Sequence, residues 1–391
     1  MIYTDKTKCC GCEACAFICP TRIIRMYTDN EGFSYPTLID ENKCIKCNKC
    51  IEVCPVKNAS AIHSEFKKAY AGWAINDSDT ILSSSGGFAA VLSKAFIKKD
   101  GVVYGAVYSN DYKNVVYKRV DIIQQVDLLR GSKYSQALKD DIYRLVKADL
   151  LNNRRVLFIG TPCDSYAVKR LFSKFANLYV VSIICHGPTS LTVHKAFCED
   201  LETKYGSCLS SFTLRYKKDG EWKPYYIRAL FKNGAEHLEK FEGSNYDTAF
   251  QYFKRPSCSD CQFKNNHFAA DLLIGDNHSA KSGDDDYNIH GVSSVLLLSE
   301  KGNELLDIVR NEEFFMLNAN IERHITQRAV HSSVKRNNDR NMFVSLLNEF
   351  GLQKACNEES IIRNKKLNKR TTRKKKFVSK TKSVIKKILR F

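Results

Sequence analysis

The sequence predicts an α/β protein in which a small ferredoxin-type domain precedes a larger α/β domain with a mixed sheet. Three observations predict this organisation. The first 60 residues hold a cysteine motif twice, residues 70–350 alternate between strand-like and helix-like patterns, and residues 363–391 contain 14 lysines and arginines and no acidic residue. A chain of 391 residues is long enough for two or three domains, and a hydrophobic fraction of 43% is typical of folded proteins.

The first element is the repeated cysteine motif. "CCGCEACAFICP" and "CIKCNKCIEVCP" both contain C-x2-C-x2-C-x3-C-P, the spacing of bacterial ferredoxins with two [4Fe–4S] clusters. In such domains the fourth cysteine of each run binds the other cluster. The predicted ligands are therefore Cys9, Cys12, Cys15 and Cys54 for the first cluster, and Cys19, Cys44, Cys47 and Cys50 for the second. Disulfides or zinc do not require this motif twice with a proline after each run, and Cys10 fits no ligand position.

The second element is the alternation in the body of the chain. Strands are predicted at "YAGWAI", "GVVYGAVY", "NVVYKRV", "RVLFIG" and "NLYVVSIIC", and "MYTDNEGFSYPTLID" between the cysteine motifs predicts a strand–turn–strand segment. Helices are predicted over residues 86–99, 122–129, 164–175 and 191–205, with another that ends near residue 152. Strand–turn–helix repeats indicate an α/β domain with a partly parallel sheet, whose ligands bind beyond the carboxyl ends of the strands.

Three turns at such strand ends have the composition of a phosphate or ring-edge site. They are "SSSGGF", "LRGSKYSQ" and "GTPC". Their small residues expose backbone N–H groups at the start of a helix, which suits an anion. The alternative for each turn taken alone is a simple helix cap. None of them matches the P-loop or the dinucleotide G-x-G-x-x-G motif, so a standard nicotinamide site is not indicated.

Four further cysteines lie in predicted turns. Cys163 and Cys185 follow successive strands and are expected at one edge of the sheet, and Cys258 and Cys261 form a C-x2-C pair. Four thiolates bind zinc or an iron–sulfur cube, and the N-terminal clusters favour a third [4Fe–4S] cluster. Zinc and uncoordinated thiols are the alternatives. The remaining cysteines are predicted to be structural: Cys198, Cys208 and Cys356.

A different interpretation makes Cys163 a nucleophile with His186 as its base. This Cys–His combination is common. It leaves Cys258 and Cys261 unexplained and gives the ferredoxin domain no electron acceptor, so the sequence favours the cluster.

Five segments carry a family resemblance. In the order "SSSGGFAA", "LRGSKYSQAL", "FIGTPCDSYAVKRL", "IICHGPTS" and "SCSDCQFKNNHFAADLLIGD", behind the doubled cysteine motif, the chain resembles the coenzyme F-420 hydrogenase/dehydrogenase beta-subunit family over roughly residues 1–320. The resemblance implies a flavin, usually FAD, beside a [4Fe–4S] cluster in the body. The flavin contacts that it implies are Ser84, Ser85, Gly86, Gly87, Gly131, Ser132, Lys133 and Tyr134, together with Gly160, Thr161 and Pro162.

The resemblance also implies a division of the chain and an activity. The predicted domains are a ferredoxin domain (1–62), a flavin-binding region (70–152), a region with the third iron–sulfur site and the substrate side (153–350), and a basic tail (351–391). The implied protein is an iron–sulfur flavoprotein oxidoreductase, in which electrons pass between the clusters and a flavin that exchanges a hydride with a two-electron substrate. We expect reduction of the substrate, because such clusters have low potentials.

The substrate is not carried over from the family. Many relatives continue "ADLLIGD" with an aromatic residue and Trp-Gly, whereas this chain has Asn277, His278 and Ser279. A deazaflavin and an intermediate of surface-polysaccharide synthesis are the two candidate substrate classes. His186, Asp271 and Asp276 are candidate proton donors, with a structural role as the alternative. Two other functions are an electron-transfer subunit that feeds a partner enzyme and has no substrate site, and a scaffold whose clusters are structural.

The net charge of +18 is concentrated at the C-terminus. Residues 363–391 hold 14 of the 61 basic residues, so the rest of the chain has 47 basic and 43 acidic side chains. The tail has apolar residues near helical spacing, which indicates either a solvated segment or a helix on an anionic membrane; nucleic acid is disfavoured because the body is nearly neutral. No apolar run of membrane-spanning length occurs, and the sequence begins without an apolar segment. We therefore predict a cytoplasmic protein, peripheral at the membrane if the tail binds it, with a ferredoxin or another redox protein as partner.

Overall fold

The structure is a computed structural model that describes residues 5–59, 63–310, 314–325, 327–358 and 361–362. The chain divides into two compact units, residues 1–336 and residues 337–391. Most of the basic tail, residues 363–391, lies outside the described residues, and so do the predictions made for it. Among the helices of the described residues, none combines the length and the apolar character that crossing a bilayer requires.

The N-terminal segment of the first unit contains a hairpin between two short helices. Its elements are α1 (Ala14–Ile18), β1 (Ile24–Thr28), β2 (Ser34–Leu38) and α2 (Lys49–Glu52). β1 and β2 pair antiparallel, from Ile24 opposite Leu38 to Thr28 opposite Ser34. The Asp29 carboxylate accepts hydrogen bonds from the backbone N–H groups of Glu31 and Phe33, both at 3.1 Å, and thereby closes the turn. The predicted strand–turn–strand segment is confirmed.

The body of the first unit is built on a mixed eight-stranded sheet. Its strands and those of a smaller sheet are β3 (Lys68–Ala74), β4 (Val102–Tyr108), β5 (Val115–Val120), β6 (Val156–Gly160), β7 (Leu178–Ile183), β8 (Leu209–Tyr216), β9 (Tyr226–Phe231), β10 (Glu236–Lys240), β11 (Leu272–Asp276), β12 (Ser293–Leu297) and β13 (Phe314–Ala319). The large sheet has the order β13-β3-β12-β11-β7-β6-β4-β5, and its central strands β11, β7, β6 and β4 are parallel. β8, β9 and β10 form a separate antiparallel sheet.

Helices cover both faces of the large sheet. The helices of the body are α3 (Asp77–Ile81), α4 (Phe88–Lys98), α5 (Ile142–Leu151), α6 (Pro162–Leu171), α7 (Leu191–Tyr205), α8 (Asn245–Tyr252), α9 (Glu300–Arg310), α10 (Ile321–Ile325) and α11 (Arg328–His331). Alternate residues of the buried strands enter two separate cores, so that Leu157 packs with α4 and α9 while Phe158 packs with α5 and α6. Because both faces of these strands are buried, their sequences are continuous apolar runs and do not alternate between apolar and polar residues. The predicted α/β class with a mixed sheet is confirmed.

The structure differs from the sequence prediction in three local features. The segment predicted as a helix over residues 122–129 is a 3-10 helix, Ile123–Leu129, in which only Val126 is buried. Val126 lies in the core beside α4, with Ile123 and Leu129 packed against it, so this apolar side follows the three-residue period of the 3-10 form. α4 begins at Phe88 because Gly87, with φ 86°, lies in the left-handed region. No element was predicted for residues 206–250, where β8, β9 and β10 form.

The second unit contains one long helix, α12 (Arg340–Asn357). Gly351 interrupts it with φ 81° and ψ 176°, so the chain bends there into a second helical segment.

Candidate functional site

A cavity of about 490 Å³ lies at the carboxyl ends of the parallel strands. The last residues of β6, β7 and β11 line it at Gly160, Ile183 and Asp276. Parallel strands end on the same side of a sheet, and the backbone N–H groups of the following turns point outward there. The cavity is therefore at the position that the sequence predicted for a ligand.

Backbone hydrogen bonds hold three loops together around this cavity. The N–H of Thr189 donates to the carbonyl of Tyr134 at 2.8 Å, and the N–H of Gln136 donates to the carbonyl of Thr189 at 3.3 Å. On the other side, the N–H of Arg255 donates to the carbonyl of Pro188 at 3.1 Å. The loops that carry Tyr134, Cys185 and Cys258 are thus neighbours, although Tyr134 and Cys258 lie more than a hundred residues apart in the sequence.

Nine of the eleven residues proposed as flavin contacts line the cavity: Ser84, Ser85, Gly87, Gly131, Ser132, Lys133, Tyr134, Gly160 and Thr161. Gly86 and Pro162 are absent from the lining. Gly86 packs against β3 instead, because a Cβ there would lie 2.3 Å from the carbonyl oxygen of Gly72. Pro162 is the buried first residue of α6. The three turns thus meet at one cavity, and Gly86 and Pro162 have structural roles in them.

Two hydroxyls of these turns contact each other, and the amine of Lys133 contacts backbone carbonyls. Ser132 Oγ donates to Ser84 Oγ at 2.9 Å, which joins the first two turns. Lys133 Nζ donates to the carbonyl oxygens of Arg130 at 2.5 Å and Leu128 at 3.1 Å. Burial lowers the pKa of Lys133 to about 7, so this amine loses its charge more easily than a solvated lysine.

All four cysteines of the predicted third cluster line the same cavity. Cys163 lies in the first turn of α6, Cys185 follows β7, and Cys258 and Cys261 lie in and directly after the 3-10 turn Pro256–Asp260. Gly187 lets the loops approach, since a Cβ there would lie 3.1 Å from Cys258 Cβ and its φ is +80°. In the described parts of the chain, no group of three or more Cys, His, Asp or Glu side chains is already arranged around one metal ion.

The thiols of this site favour the protonated form when no metal is bound. Burial, followed by the neighbouring thiols of Cys185, Cys261 and Cys163, raises the pKa of Cys258 well above its usual value. A hydrogen bond with Cys10, burial and the Asp164 carboxylate raise the pKa of Cys163 in the same way. This opposes a nucleophilic role for Cys163, which needs a lowered pKa. It suits metal ligands, which lose their protons on binding.

Three cationic side chains lie on or against the loops that carry Cys185, Cys258 and Cys261. Lys264 Nζ donates to the carbonyl of Cys185 at 2.6 Å, and Lys254 Nζ donates to the carbonyls of His186 at 2.9 Å and Gly187 at 3.3 Å. The third is Arg255, three residues before Cys258 and only 2% exposed. A [4Fe–4S] cube held by four thiolates is anionic, so thiols with cations on or against their loops fit such a cube.

A buried ion pair lies beside Cys163. Lys139 Nζ is 3.1 Å from Asp164 Oδ1, and their side chains are 1% and 3% exposed. Tyr117 OH and Thr161 Oγ1 donate to the other carboxylate oxygen at 2.8 and 3.0 Å, and Thr161 Oγ1 is 3.2 Å from Cys163 Sγ. Burial opposes the charge of Lys139, but the carboxylate outweighs it and raises the pKa of the amine. The pair holds the first turn of α6 in place.

The two ferredoxin cysteine sets have different surroundings. The four predicted ligands of the first cluster, Cys9, Cys12, Cys15 and Cys54, line one small cavity of about 20 Å³ and are each at most 8% exposed. In the set predicted for the second cluster, Cys44 and Cys47 are exposed and Cys19 and Cys50 are half-buried. The crossed assignment, in which Cys54 joins the first motif, agrees with this first cavity.

Cys10 and Arg255 are the residues that sequence reasoning missed. Cys10 lines both cavities and packs in one cluster with Cys12 of the first set and Cys163 of the third. It fits no motif position, so only its neighbours in space reveal it. Arg255 could have been suspected from its place just before the C-x2-C pair.

The three candidate proton donors differ in placement. His186 lines the cavity, and burial followed by Lys254 and Lys264 lowers its pKa to about 4, so it is neutral at physiological pH. Asp276 lines the cavity and pairs with Arg215 at 2.6 Å. Asp271 does not line it, and its oxygens accept from Val180 N–H, Lys169 and Ser299, which indicates a structural role.

Two family models match the chain. One describes the C-terminal part of the beta subunit of coenzyme F420 hydrogenase/dehydrogenase and matches residues 153–322, and the other, the 4Fe-4S dicluster domain, matches residues 8–58. The fold and these matches define an iron–sulfur protein with a ferredoxin-type domain in front of an α/β domain, and they support an electron-transferring, oxidoreductase-related role. Over residues 153–322 the chain is similar to the coenzyme F420 hydrogenase/dehydrogenase beta subunit, which agrees with the resemblance drawn from the motifs.

Thirteen chains of solved structures are similar to this protein. One comes from a structure described as the xenon derivatization of the F420-reducing [NiFe] hydrogenase complex from Methanosarcina barkeri; it is 16% identical, with 68% of this chain and 90% of that chain covered and a TM-score of 0.47. None of the curated proteins matches this chain.

Proposed function

We propose that this protein is an iron–sulfur flavoprotein oxidoreductase, in which electrons pass from a ferredoxin or another redox protein through three [4Fe–4S] clusters to FAD and then to a two-electron substrate. One observation carries the proposal. Four cysteines separated by up to 98 positions, Cys163 to Cys261, line the same cavity as the turns around Ser84 and Gly131. A thiolate-held cluster and an organic cofactor would thus share one cavity.

The residues around the cavity fit a flavin. Ser84, Ser85 and Gly87 lie at the start of α4, and Gly131 has open space within 4 Å of its Cβ position and a φ of +76°. Backbone N–H groups at such a helix start bind anionic oxygens, and the glycine allows close approach. A bound flavin would exchange single electrons with clusters and electron pairs with an organic substrate.

The exposure of the cysteine sets supports an order of electron transfer. The exposed second set is accessible to a protein partner, whereas the first set is buried against the body. Cys10 then connects Cys12 of the first set with Cys163 of the third. We infer the order second cluster, first cluster, third cluster and flavin, with one electron transferred at each step.

One end of the cavity has polar side chains that suit a substrate. Arg215, Asp276 and His278 line it, with His278 Nε2 3.5 Å from Asp276 Oδ2. Arg215 holds Asp276 in place, so Asp276 can accept a hydrogen bond from a polar group of the substrate. Both substrate classes considered above, a deazaflavin and a polysaccharide-pathway intermediate, carry such groups.

The experiment that tests this function is an anaerobic purification with iron, sulfide and flavin quantified. We expect about twelve irons and about one flavin per chain. The double variant C258S/C261S should retain about eight irons. C208S is the matched control, because Cys208 is exposed and does not line the cavity. Wild-type protein with eight irons and no flavin, or a double variant with undiminished iron, would contradict the proposal.

We also infer that the tail, residues 363–391, makes a peripheral contact with an anionic membrane surface. Its basic residues and helically spaced apolar residues support this. The full chain should bind vesicles that contain phosphatidylserine more tightly than vesicles without it, and a chain truncated after residue 362 should lose this binding. Equal binding of the two chains contradicts the inference.

A further inference from the structure

Arg255 is a buried guanidinium between two sets of cysteines. It is 2% exposed and follows α8 in the loop that leads to Cys258. Its Nε donates to the carbonyl of Cys9 at 2.9 Å, its Nη2 donates to the carbonyl of Ser34 at 2.9 Å, and its Nη1 donates to Gln136 Oε1 at 2.8 Å. Nη2 is also 4.0 Å from Cys9 Sγ.

These contacts join the first cysteine set to the third. Cys9 is a predicted ligand of the first cluster, and the backbone N–H of Cys258, a predicted ligand of the third, donates to the carbonyl of Arg255 at 3.0 Å. Gln136 extends the link, because its Nε2 donates to the carbonyl of Cys10 at 2.8 Å. The side chain of Arg255 therefore contacts the backbone of the first ligand loop, and its own backbone begins the loop that carries Cys258.

No carboxylate neutralises Arg255 in the part of the chain that the structure describes. Its partners are two backbone carbonyls, an amide oxygen, a thiol and the rings of Tyr35 at 4.5 Å and Phe33 at 5.4 Å. The buried guanidiniums of Arg130 and Arg215, in contrast, each pair with a carboxylate. A buried charge without a counter-charge is strongly destabilising, so this position calls for an anionic group beside it.

The backbone at Gly11 leaves room for the guanidinium of Arg255. Gly11 lies against the guanidinium with φ +66°, and a Cβ at this position would lie 2.7 Å from Cζ. Any side chain there would displace the charge. The first cysteine motif, with glycine between Cys10 and Cys12, thus lets the cation approach both ligand loops.

We propose that Arg255 is the shared counter-charge of the first and third clusters, and that it raises the reduction potentials of both relative to the second cluster. This rests on the proposed function, which supplies the third cluster. A nearby cation stabilises the more negative, reduced state of a cluster, and a hydrogen bond to a ligand sulfur acts in the same direction. With the clusters bound, an electron supplied by the redox partner at the exposed second cluster would be favoured to move to the buried pair, and no bond would be made or broken. Arg255 is a positioning residue in this scheme.

The test is a redox titration of the holoprotein followed by electron paramagnetic resonance, with iron content measured in parallel. In R255Q the first and third clusters should need a lower potential for reduction. We expect about a tenfold fall in the reduced-to-oxidised ratio at fixed potential, which is about 59 mV for a one-electron couple. The second cluster is the internal control and should not shift. R155Q removes another cation, one that packs on Phe96 and Tyr179 instead of the cysteine loops, and should leave all potentials unchanged.

R255K separates charge from shape. If R255K has full iron and wild-type potentials, the charge role is supported, even where R255Q loses iron. The proposal is overturned if R255Q has full iron and unshifted potentials, if all three clusters shift equally, or if R255K shifts as far as R255Q or loses iron as well. The proposed function fails on a different result, which is a wild-type protein without the third cluster. In that case R255Q would shift only the potential of the first cluster, and the shared role of Arg255 would also be overturned.

Discussion

The two ferredoxin cysteine sets have the same spacing but opposite surroundings. Cys9, Cys12, Cys15 and Cys54 are buried around one small cavity, whereas Cys44 and Cys47 of the other set are exposed. The difference does not come from the motif, because both runs read C-x2-C-x2-C-x3-C-P. It comes from the body, which covers one set and leaves the other facing outward. Under the proposed function, the exposed set would receive electrons and the buried set would pass them inward.

The contacts of the two loops explain this difference. Side chains of the body bind the carbonyls of the first loop: Arg255 at Cys9, Gln136 at Cys10, and Tyr143 at Cys12 with a distance of 2.5 Å. The end of the second motif is held by Asn58, whose Nδ2 donates to the carbonyls of Ile51, Glu52 and Cys54 at 2.9–3.1 Å. The first loop therefore depends on the fold of the body at three carbonyls. The second motif combines local contacts with contacts to α6, because Arg170 donates to the carbonyl of Glu52 and Tyr166 donates to the carbonyl of Asn58.

The largest expected effect comes from breaking the buried set. C12S and C44S should each lose about four irons, but C12S should also lower the unfolding temperature far more, because it removes a ligand from a cavity that packs against the body. Anaerobic iron analysis and thermal unfolding of both variants measure this. Equal unfolding temperatures would show that the two sites are energetically alike.

The next largest effect is expected from the buried ion pair between Lys139 and Asp164, beside Cys163. K139M leaves Asp164 buried without its cation and should lower the free energy of unfolding by about 3–5 kcal/mol. R144M, at the exposed Arg144–Asp141 pair, is the control and should change the stability little. Anaerobic urea unfolding gives both values. A loss below about 1 kcal/mol for K139M contradicts the importance of this pair.

Acid should destabilise the buried body through His194. Burial lowers the pKa of His194 to about 4, against the effects of the Tyr112 carbonyl and Asp111. The unfolded chain then binds a proton between about pH 6.5 and pH 4 that the folded chain does not, so stability falls as the pH falls through this window, by about 3 kcal/mol at pH 4.

The control for this pH dependence is H194Q, which cannot take up the proton. The free energy of unfolding of H194Q should change less between pH 6.5 and pH 4 than that of the wild-type protein. Identical pH profiles for the two proteins would remove His194 from the explanation.

The smallest effect is expected at the exposed cluster. Lys46 and Lys49 are exposed beside Cys47, and lysines at a docking surface accelerate the approach of an acidic redox protein. K46E/K49E should slow reduction by an acidic ferredoxin about tenfold at low salt, while reduction by dithionite stays the same. K147E, on the exposed side of α5, is the control. A salt-independent rate in the wild-type protein argues against this docking surface.

Local spacing was sufficient to predict the 4Fe-4S dicluster domain, the turns that line the cavity and the alternating elements of the body. Ligands two residues apart, caps and apolar runs are all properties of short segments, so they can be read without knowing the fold. Gly86 and Pro162, which were predicted as flavin contacts, do not line the cavity, because a motif does not specify which of its residues face a ligand.

Only the tertiary structure brought Cys10 and Cys163 together, placed Arg255 between two ligand loops, and buried one ferredoxin set while exposing the other. These are contacts between segments as far apart as residues 9 and 255, and they depend on strand order and on which face each loop covers. A sequence specifies such contacts through the packing of the whole sheet, so they are not visible in any single stretch of it.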